Sequence, residues 1–490
     1  MSSRLACVSG GLLIRPLRAN VNEQPTPPRR VAVVGGGISG LAAAHRLLEL
    51  DPSVDVTLLE SSPRLGGVLS TVHEDGYQVE ESADNFITTV PWGVNLCKRL
   101  GLGEQLVQTN PAHRRTFVIR GGRLHRLPDG FLMMAPSRMW PLAVTPILSP
   151  GGKLRGAMEY VIPPRTDDHD ESMADFVCRR LGREVFERLV EPLVSAVYAA
   201  DMEKLSVLAT LPRFREMERE HGSLIRAMRR QVALQRKPGG ESGARYSMFV
   251  TLQAGLTSLI DAIAKRLPPQ AVRLQTPVQR IQRVGNTWQL ELFGDGQESF
   301  DAVILATPSH VTGRLLASVD TELSELLGRV EHSGTAVVTV AYRREQIAHP
   351  LDGMGFVVPA VEESPILAVS FSSQKYPHRA PDGRELLRAF VGGARREELA
   401  EMPTGKLVPM VLAELDRLLG IQGSPIYRSV AHWPSTMPQY HVGHRELVAQ
   451  IDARVALLPN VALAGNAYHG VGIPNCIHSG EQAAEAVLGK

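Results

Sequence analysis

Between Arg29 and Glu60 the hydrophobic pattern changes period twice. Val31–Val34 is an unbroken apolar, β-branched run, which predicts a strand buried on both faces, as in a parallel sheet. Leu41–Leu50 is built of helix formers, and "VDVTLLE", Val54–Glu60, predicts a second buried strand. Three consecutive glycines, Gly35, Gly36 and Gly37, separate the first strand from the helix. The same order returns near the other end. A strand from Val461 to Ala464 meets Gly465 and Asn466, and Gly470–Pro474 leads into a helix from about Cys476. Between these ends, "VRLQTPVQRIQRV" and "TWQLELFGDGQESF" alternate apolar and polar positions around Gly/Asp turns, which predicts an antiparallel meander. "DAVILATP" predicts a buried strand that ends at Thr307 and Pro308. Pro91–Met248 is mostly helical in pattern. Ser309–Tyr427 mixes strands ("GTAVVTVAY", "MGFVVP", "ILAVSFSS", "LLRAFVGG") with a helix near Val408–Leu419.

A chain of 490 residues predicts two or three domains or interleaved lobes. The 53 basic and 51 acidic side chains nearly cancel, which argues against a nucleic-acid partner. Cys7, Cys97, Cys178 and Cys476 are scattered without a C-x-x-C pair, so neither a zinc site nor a disulfide framework is expected. A reducing, cytoplasmic setting fits best. No metal is expected, since His432, His441 and His444 lack ligand spacing. No apolar run is long enough to span a bilayer. Residues 1–28 are Arg-rich, acid-poor and end in "EQPTPP"; a flexible extension is expected, with a targeting presequence as the alternative.

The glycine turn narrows the chemistry. Gly35, Gly37 and Gly40 match G-x-G-x-x-G, in which the first glycine allows the tight turn, the second lets backbone approach a pyrophosphate, and the third lets helix and strand pack closely. Glu60, 20 residues beyond Gly40 at the end of the second strand, is placed to accept from a ribose hydroxyl and disfavours a 2′-phosphate. Arg64, Gly66 and Gly67 then complete E-x-x-x-R-x-G-G, which resembles the flavin-binding signature of the amine-oxidase-like flavoprotein superfamily. That resemblance implies non-covalent FAD. It assigns Gly35, Gly36, Gly37, Ile38, Ser39, Gly40, Glu60, Ser61, Arg64, Gly66, Gly67 and Val68 to the cofactor. To these it adds Val278 at adenine, Trp433 near the flavin, and Gly465, Val471, Gly472 and Ile473 in the second turn. Cys476 and His469 are expected to take no part in covalent attachment or base catalysis.

Several stretches together resemble protoporphyrinogen oxidases, including the bacterial type that acts on coproporphyrinogen III. They are "VEPLVSAVYAADMEKLSVLATLPRFREMEREHGSL", "SFSSQKYPHRAP", "AFVGG", "HWPSTMPQYHVGH" and "GNAYHGVGIPNCI", and the likeness runs from Arg30 to Leu488. The implied fold is α/β with α+β insertions. A Rossmann-type FAD-binding domain is assembled from 29–90, 249–308 and 428–490, interrupted by a mostly helical lobe, 91–248, and a mixed-sheet substrate-binding lobe, 309–427. The implied reaction removes six hydrogens from a porphyrinogen in three two-electron turns, with hydride passing to flavin N5 and O2 reoxidising the flavin to give H2O2. By motif, Phe390 stacks on the macrocycle, Val357 presses on another pyrrole with Ser370 nearby, and Ala196 lies where many relatives have glycine. Thr116 stands where eukaryotic relatives carry a propionate-binding arginine, with Arg114 and Arg115 just before it, so both porphyrinogens stay open. Ferrochelatase is a further implied partner. The Pro-broken stretch "GFLMMAPSRMWPLAVTPILSP" is expected to cover the substrate cavity, with peripheral contact on the inner face of a membrane as the alternative. The competing readings are an amine oxidase or desaturase of the same superfamily, or a flavin- and porphyrin-binding protein without turnover.

Overall fold

The computed structural model describes residues 28–235, 248–294 and 296–490. The extension expected over 1–28 lies, apart from Pro28, outside them. Five parallel strands form the base of the molecule in the order Val272–Arg273, Asp55–Leu59, Arg30–Val34, Ala302–Leu305, Val461–Leu463. Arg30–Val34 is central, and Val31–Val34 are all buried, which is why that run carries no polar alternation. The helix Ile38–Leu50 leaves the central strand through the glycine turn and packs against the last helix, Ile473–Leu488. The two approach so closely that a Cβ on Gly480 would lie 2.1 Å from the Ser39 carbonyl oxygen. The meander, Val278–Val284, Thr287–Leu292 and Gly296–Phe300, packs on the parallel sheet, joining Trp288, Leu290 and Phe300 to Ala32, Val34 and Leu305.

A second, seven-stranded sheet carries the other half. Its order is Tyr427–Pro438, His332–Arg343, Arg384–Gly392, Ile366–Phe371, Gly355–Val357, Thr116–Arg120, Arg123–Arg126. Both edges differ from the segment boundaries expected above. Tyr427–Pro438, placed with the third nucleotide segment, pairs with His332–Arg343, and 116–126, placed with the helical lobe, extends the opposite edge. In the other direction, the helices Ser309–Leu316 and Thr321–Gly328 pack on the meander through Leu315, Leu316, Leu323 and Leu327. For the two edge strands the physical reason is the same. A half-exposed edge strand has an ordinary polar pattern, and its partner lies far along the chain.

The two faces of this sheet are buried differently. One packs on the helix Thr404–Leu419 through Phe117, Phe356, Phe371 and Leu387. The other turns Val118, Val357 and Ala368 toward the helical lobe, whose core includes Phe176, Val177, Leu181, Val194 and Phe214. The lobe is held by a fully buried pair in which Arg180 donates to Glu159. Glu159 also accepts from Leu224 N–H at 2.8 Å and so satisfies the start of the helix Leu224–Gln235.

Candidate active site

The first glycine turn is built as its spacing predicts. Gly35 adopts φ +108, and its N–H donates to the Leu59 carbonyl at 2.8 Å. A Cβ on Gly40 would lie 1.9 Å from the Gly35 oxygen, so only glycine lets helix and turn close. Gly37 is different: nothing lies within 4 Å of its would-be Cβ, and it caps the helix whose leading N–H groups have no intrahelical partners. Glu60 accepts from Gly36 N–H at 2.6 Å and from Ser62 N–H at 2.7 Å, with Ser61 Oγ at 3.3 Å. These bonds fix the carboxylate and leave lone pairs for a ribose hydroxyl.

The E-x-x-x-R-x-G-G segment lies directly beside this turn. Gly66 N–H donates to the Gly36 carbonyl at 2.8 Å, and a Cβ on Gly67 would lie 3.3 Å from Gly37 Cα. Arg64 donates to the Leu65, Leu69 and Gly67 carbonyls at 3.2, 3.1 and 2.8 Å, so its guanidinium pins the turn that carries exposed Val68. Val278, half-buried, opens the meander on the far side of Glu60, whose carbonyl accepts from Thr276 N–H at 2.8 Å.

The second glycine turn meets the first through the helix pair. Ile38, Ser39 and Ile473 are buried in or beside that contact, as is Cys476, whose thiol burial pushes up to about 11. Such a thiol stays protonated and inert. Gly465 has φ +138 and open space at its Cβ position, and its N–H donates to Ser479 Oγ at 3.1 Å. Tyr440 ties the loop shut, donating to the Asn466 carbonyl at 2.5 Å and accepting from Gly470 N–H at 2.8 Å. Gly472 caps the helix Ile473–Leu488, and Val471 turns away from it to pack against the helical-lobe cluster.

Val471 thereby reaches the sheet face that carries Val357 and Phe390. Val118, Val357, Ala368 and Phe390 lie in one cross-strand row, and Val471 packs against the same cluster. The adjacent row on the same face holds Thr116, Gly355, Ser370 and Arg388. Trp433 lies on the next strand but one from Phe390, and its indole N–H donates to the Glu81 carbonyl at 2.7 Å. Arg114 and Arg115 are not brought to this face. Arg114 is exposed, and Arg115 pairs with Asp352 at 3.0 Å in a half-exposed position shared with Arg126. Ala196 is exposed on the helix Glu191–Tyr198. In the Pro-broken stretch, Phe131, Met134, Leu142, Ile147 and Leu148 are buried, while Trp140 and Val144 are exposed.

Sequence reasoning missed a buried charge cluster beside this face. Asp84 accepts from Lys375 Nζ through both oxygens at 3.1 Å, with Arg379 at 3.4 Å and Arg388 at 3.5 Å. Glu80 lies 3.6 Å from Arg379. The segment that carries these acids also carries Glu81 and Ser82, so it crosses from the hairpin Thr71–Glu80 to Trp433 and Arg388.

At the end of the same strands, a cavity of about 410 Å³ is lined by Glu191, Ser195, Ala199, Val358 and Gly392. Glu191 Oε2 accepts from Ala360 N–H at 3.1 Å, and burial raises its pKa to about 7. The folded state therefore holds this proton more tightly than the unfolded chain. Its cost to stability is absent below the ordinary carboxyl pKa and grows as pH rises through about 7, reaching about 3 kcal/mol. Glu191→Gln is expected to remove that slope. Thermal melts at pH 5 and pH 8 check it, and an equal gap between variant and wild type at both pH values would overturn the assignment.

The two turns, the ribose-side acid and the apolar sheet face define a flavin-dependent oxidoreductase, and the comparisons with known proteins agree. The chain belongs to the flavin containing amine oxidoreductase family, whose model matches residues 38–488. It is 34% identical over 469 residues to a coproporphyrinogen III oxidase of Bacillus subtilis (strain 168), covering 94% of this chain and 98% of that one. It is 28% identical over 489 residues to protoporphyrinogen oxidase 2, chloroplastic/mitochondrial, of Arabidopsis thaliana, covering 94% of each. A crystal structure from Exiguobacterium sp. 255-15, provisionally assigned as a protoporphyrinogen oxidase, superposes with TM-score 0.84 at 32% identity, covering 94% of this chain and 99% of that one. The cofactor is FAD, and the residues present fit it: open backbone at Gly37 and Gly465, and a fixed carboxylate at Glu60.

Proposed function

We propose that the chain oxidises a porphyrinogen, coproporphyrinogen III or protoporphyrinogen IX, to the porphyrin. The observation that carries this reading is the flat apolar row Val118–Val357–Ala368–Phe390, which packs in one cluster with Val471 of the second glycine turn. Electron-rich pyrrole rings joined by methylene bridges can rest one after another on such a wall, and the names of the relatives at 34% and 28% identity support that substrate class. FAD, when bound, supplies the two-electron acceptor, so that three rounds take six hydrogens from the substrate and three O2 to three H2O2. The chain's own residues position and enclose. Phe390 and Val357 orient the pyrrole rings beside them, Trp433 is fixed by the Glu81 carbonyl, and the lobes exclude water from the reacting edge.

On this reading the enzyme works in the cytoplasm and its product goes to a metal-inserting chelatase. Exposed Trp140, Val144, Leu154 and Val161 support peripheral contact with a membrane surface. Among the described residues no helix is long and apolar enough to cross a membrane. The test is direct. Purified holoprotein mixed with either porphyrinogen should give porphyrin fluorescence, oxygen uptake and peroxide. Phe390→Ala should lower kcat/KM by about 10- to 100-fold, the worth of one buried ring, while FAD content holds. No turnover of either porphyrinogen by the wild type overturns the reading.

A further inference from the structure

Arg388 is the one member of the charge cluster that also belongs to the substrate wall. It sits two residues before Phe390 on the strand Arg384–Gly392, so the two side chains share a face. The guanidinium carbon lies 5.1 Å from the Phe390 ring centroid. The side chain is fully buried, yet its donors are poorly used. Nη2 donates to the Ser82 carbonyl, Nη1 comes only within 3.5 Å of Asp84, and neither Nε nor Nη1 has a hydrogen-bond partner among the described residues. Directly opposite in the ladder is Ser370, whose Oγ is buried and also without a partner, as is Ser82 Oγ. Three sets of unused polar atoms therefore meet at one place on the wall.

The charge balance points the same way. Among the described residues, three cations, Lys375, Arg379 and Arg388, face two acids, Asp84 and Glu80, and burial works against charge on both sides, raising the Glu80 pKa and lowering those of Lys375 and Arg388. With every group ionised, the cluster holds three positive charges against two negative ones in a water-poor interior. Such an excess is unfavourable until an anion meets it, and a guanidinium with free N–H groups is the group that binds a carboxylate best. A pyrrole resting on Phe390 would carry its substituents at the ring's rim, and a two-carbon acid arm from that rim reaches toward Arg388 and Ser370.

We propose that Arg388, with Ser370, binds one carboxylate of the porphyrinogen and so sets a preference for substrates with more acid side chains. This rests on the porphyrinogen reading above. A cation that served the flavin instead would act on its reduction potential, so the two roles separate in one set of measurements. Arg388→Leu holoenzyme should show a KM for coproporphyrinogen III raised about 10- to 100-fold. Its KM for the reduced tetramethyl ester of the same macrocycle and its FAD reduction potential should match the wild type. Arg388→Lys should restore part of the KM. Ser370→Ala should raise KM about 3- to 10-fold for the acid alone, and it decides the matter if Arg388→Leu does not fold. An unchanged KM, an equal loss on acid and ester, or a shifted potential with KM intact overturns the proposal. Wild-type protein inactive on every porphyrinogen instead overturns the functional reading on which it rests, and both fall together.

Discussion

Gly37→Val is expected to purify as a folded but colourless protein. Gly37 has φ −70 and ψ 176, extended backbone that a β-branched residue adopts without strain, and nothing lies within 4 Å of the new Cβ. The protein alone gives no reason for glycine there. The reason we propose is the space itself, which faces the start of the helix Ile38–Leu50 and suits a cofactor pyrophosphate. A valine in that space should cost FAD affinity at least about 100-fold, or about 2.7 kcal/mol, with far-UV circular dichroism unchanged. Gly40→Val is the contrasting variant. Its Cβ would lie 1.9 Å from the Gly35 oxygen, so it should fail at the level of folding, with little soluble protein. Absorbance at the flavin band against total protein reads the difference. Stoichiometric FAD in Gly37→Val would remove the phosphate-turn assignment.

That contrast shows what a sequence can reveal. Gly35, Gly37, Gly40 and Glu60 were legible because each answers a backbone or hydrogen-bond requirement at a fixed spacing, within one strand–turn–helix unit. The motifs single out Phe390 and Val357 but not their alignment through Ala368, which depends on strands paired out of sequence order. The motif assigns Arg64 to the cofactor but does not show that its guanidinium also holds three carbonyls of its own turn. Arg388 left a readable signal: an arginine within the apolar strand "LLRAFVGG", at period two from Phe390, must share that face. Asp84 left none, since its lysine partner lies 291 residues away. Nor could the edge strand Tyr427–Pro438 be placed, because its pairing with His332–Arg343 has no local signature.

Asp84→Ala should destabilise the folded protein by about 3–5 kcal/mol, the usual cost of stranding buried charges by removing their partner. The carboxylate joins three elements at once: Lys375 and Arg379, which follow the strand Ile366–Phe371, and Arg388 on the neighbouring strand. Burial works to raise its pKa, but Lys375, Arg379 and Arg388 outweigh burial and hold the carboxyl well below the usual range. The stabilisation is therefore fully present above the ordinary carboxyl pKa and is lost only as pH falls below about 4. Wild-type Tm should drop steeply with acid in that range, while the Asp84→Ala curve starts lower and runs flatter. Asp84→Ala combined with Arg388→Leu should recover part of the loss, because one of the three stranded cations is gone. Calorimetric melts of all three proteins at pH 7 and about pH 2 test this, and a Tm of Asp84→Ala equal to wild type at pH 7 would mean that the cluster is neutralised by something other than Asp84. Since residues 81–84 also carry the carbonyls that hold Trp433 and Arg388, the same loss should loosen the cofactor end and the substrate wall together, seen as weaker FAD retention with a raised KM in a single variant.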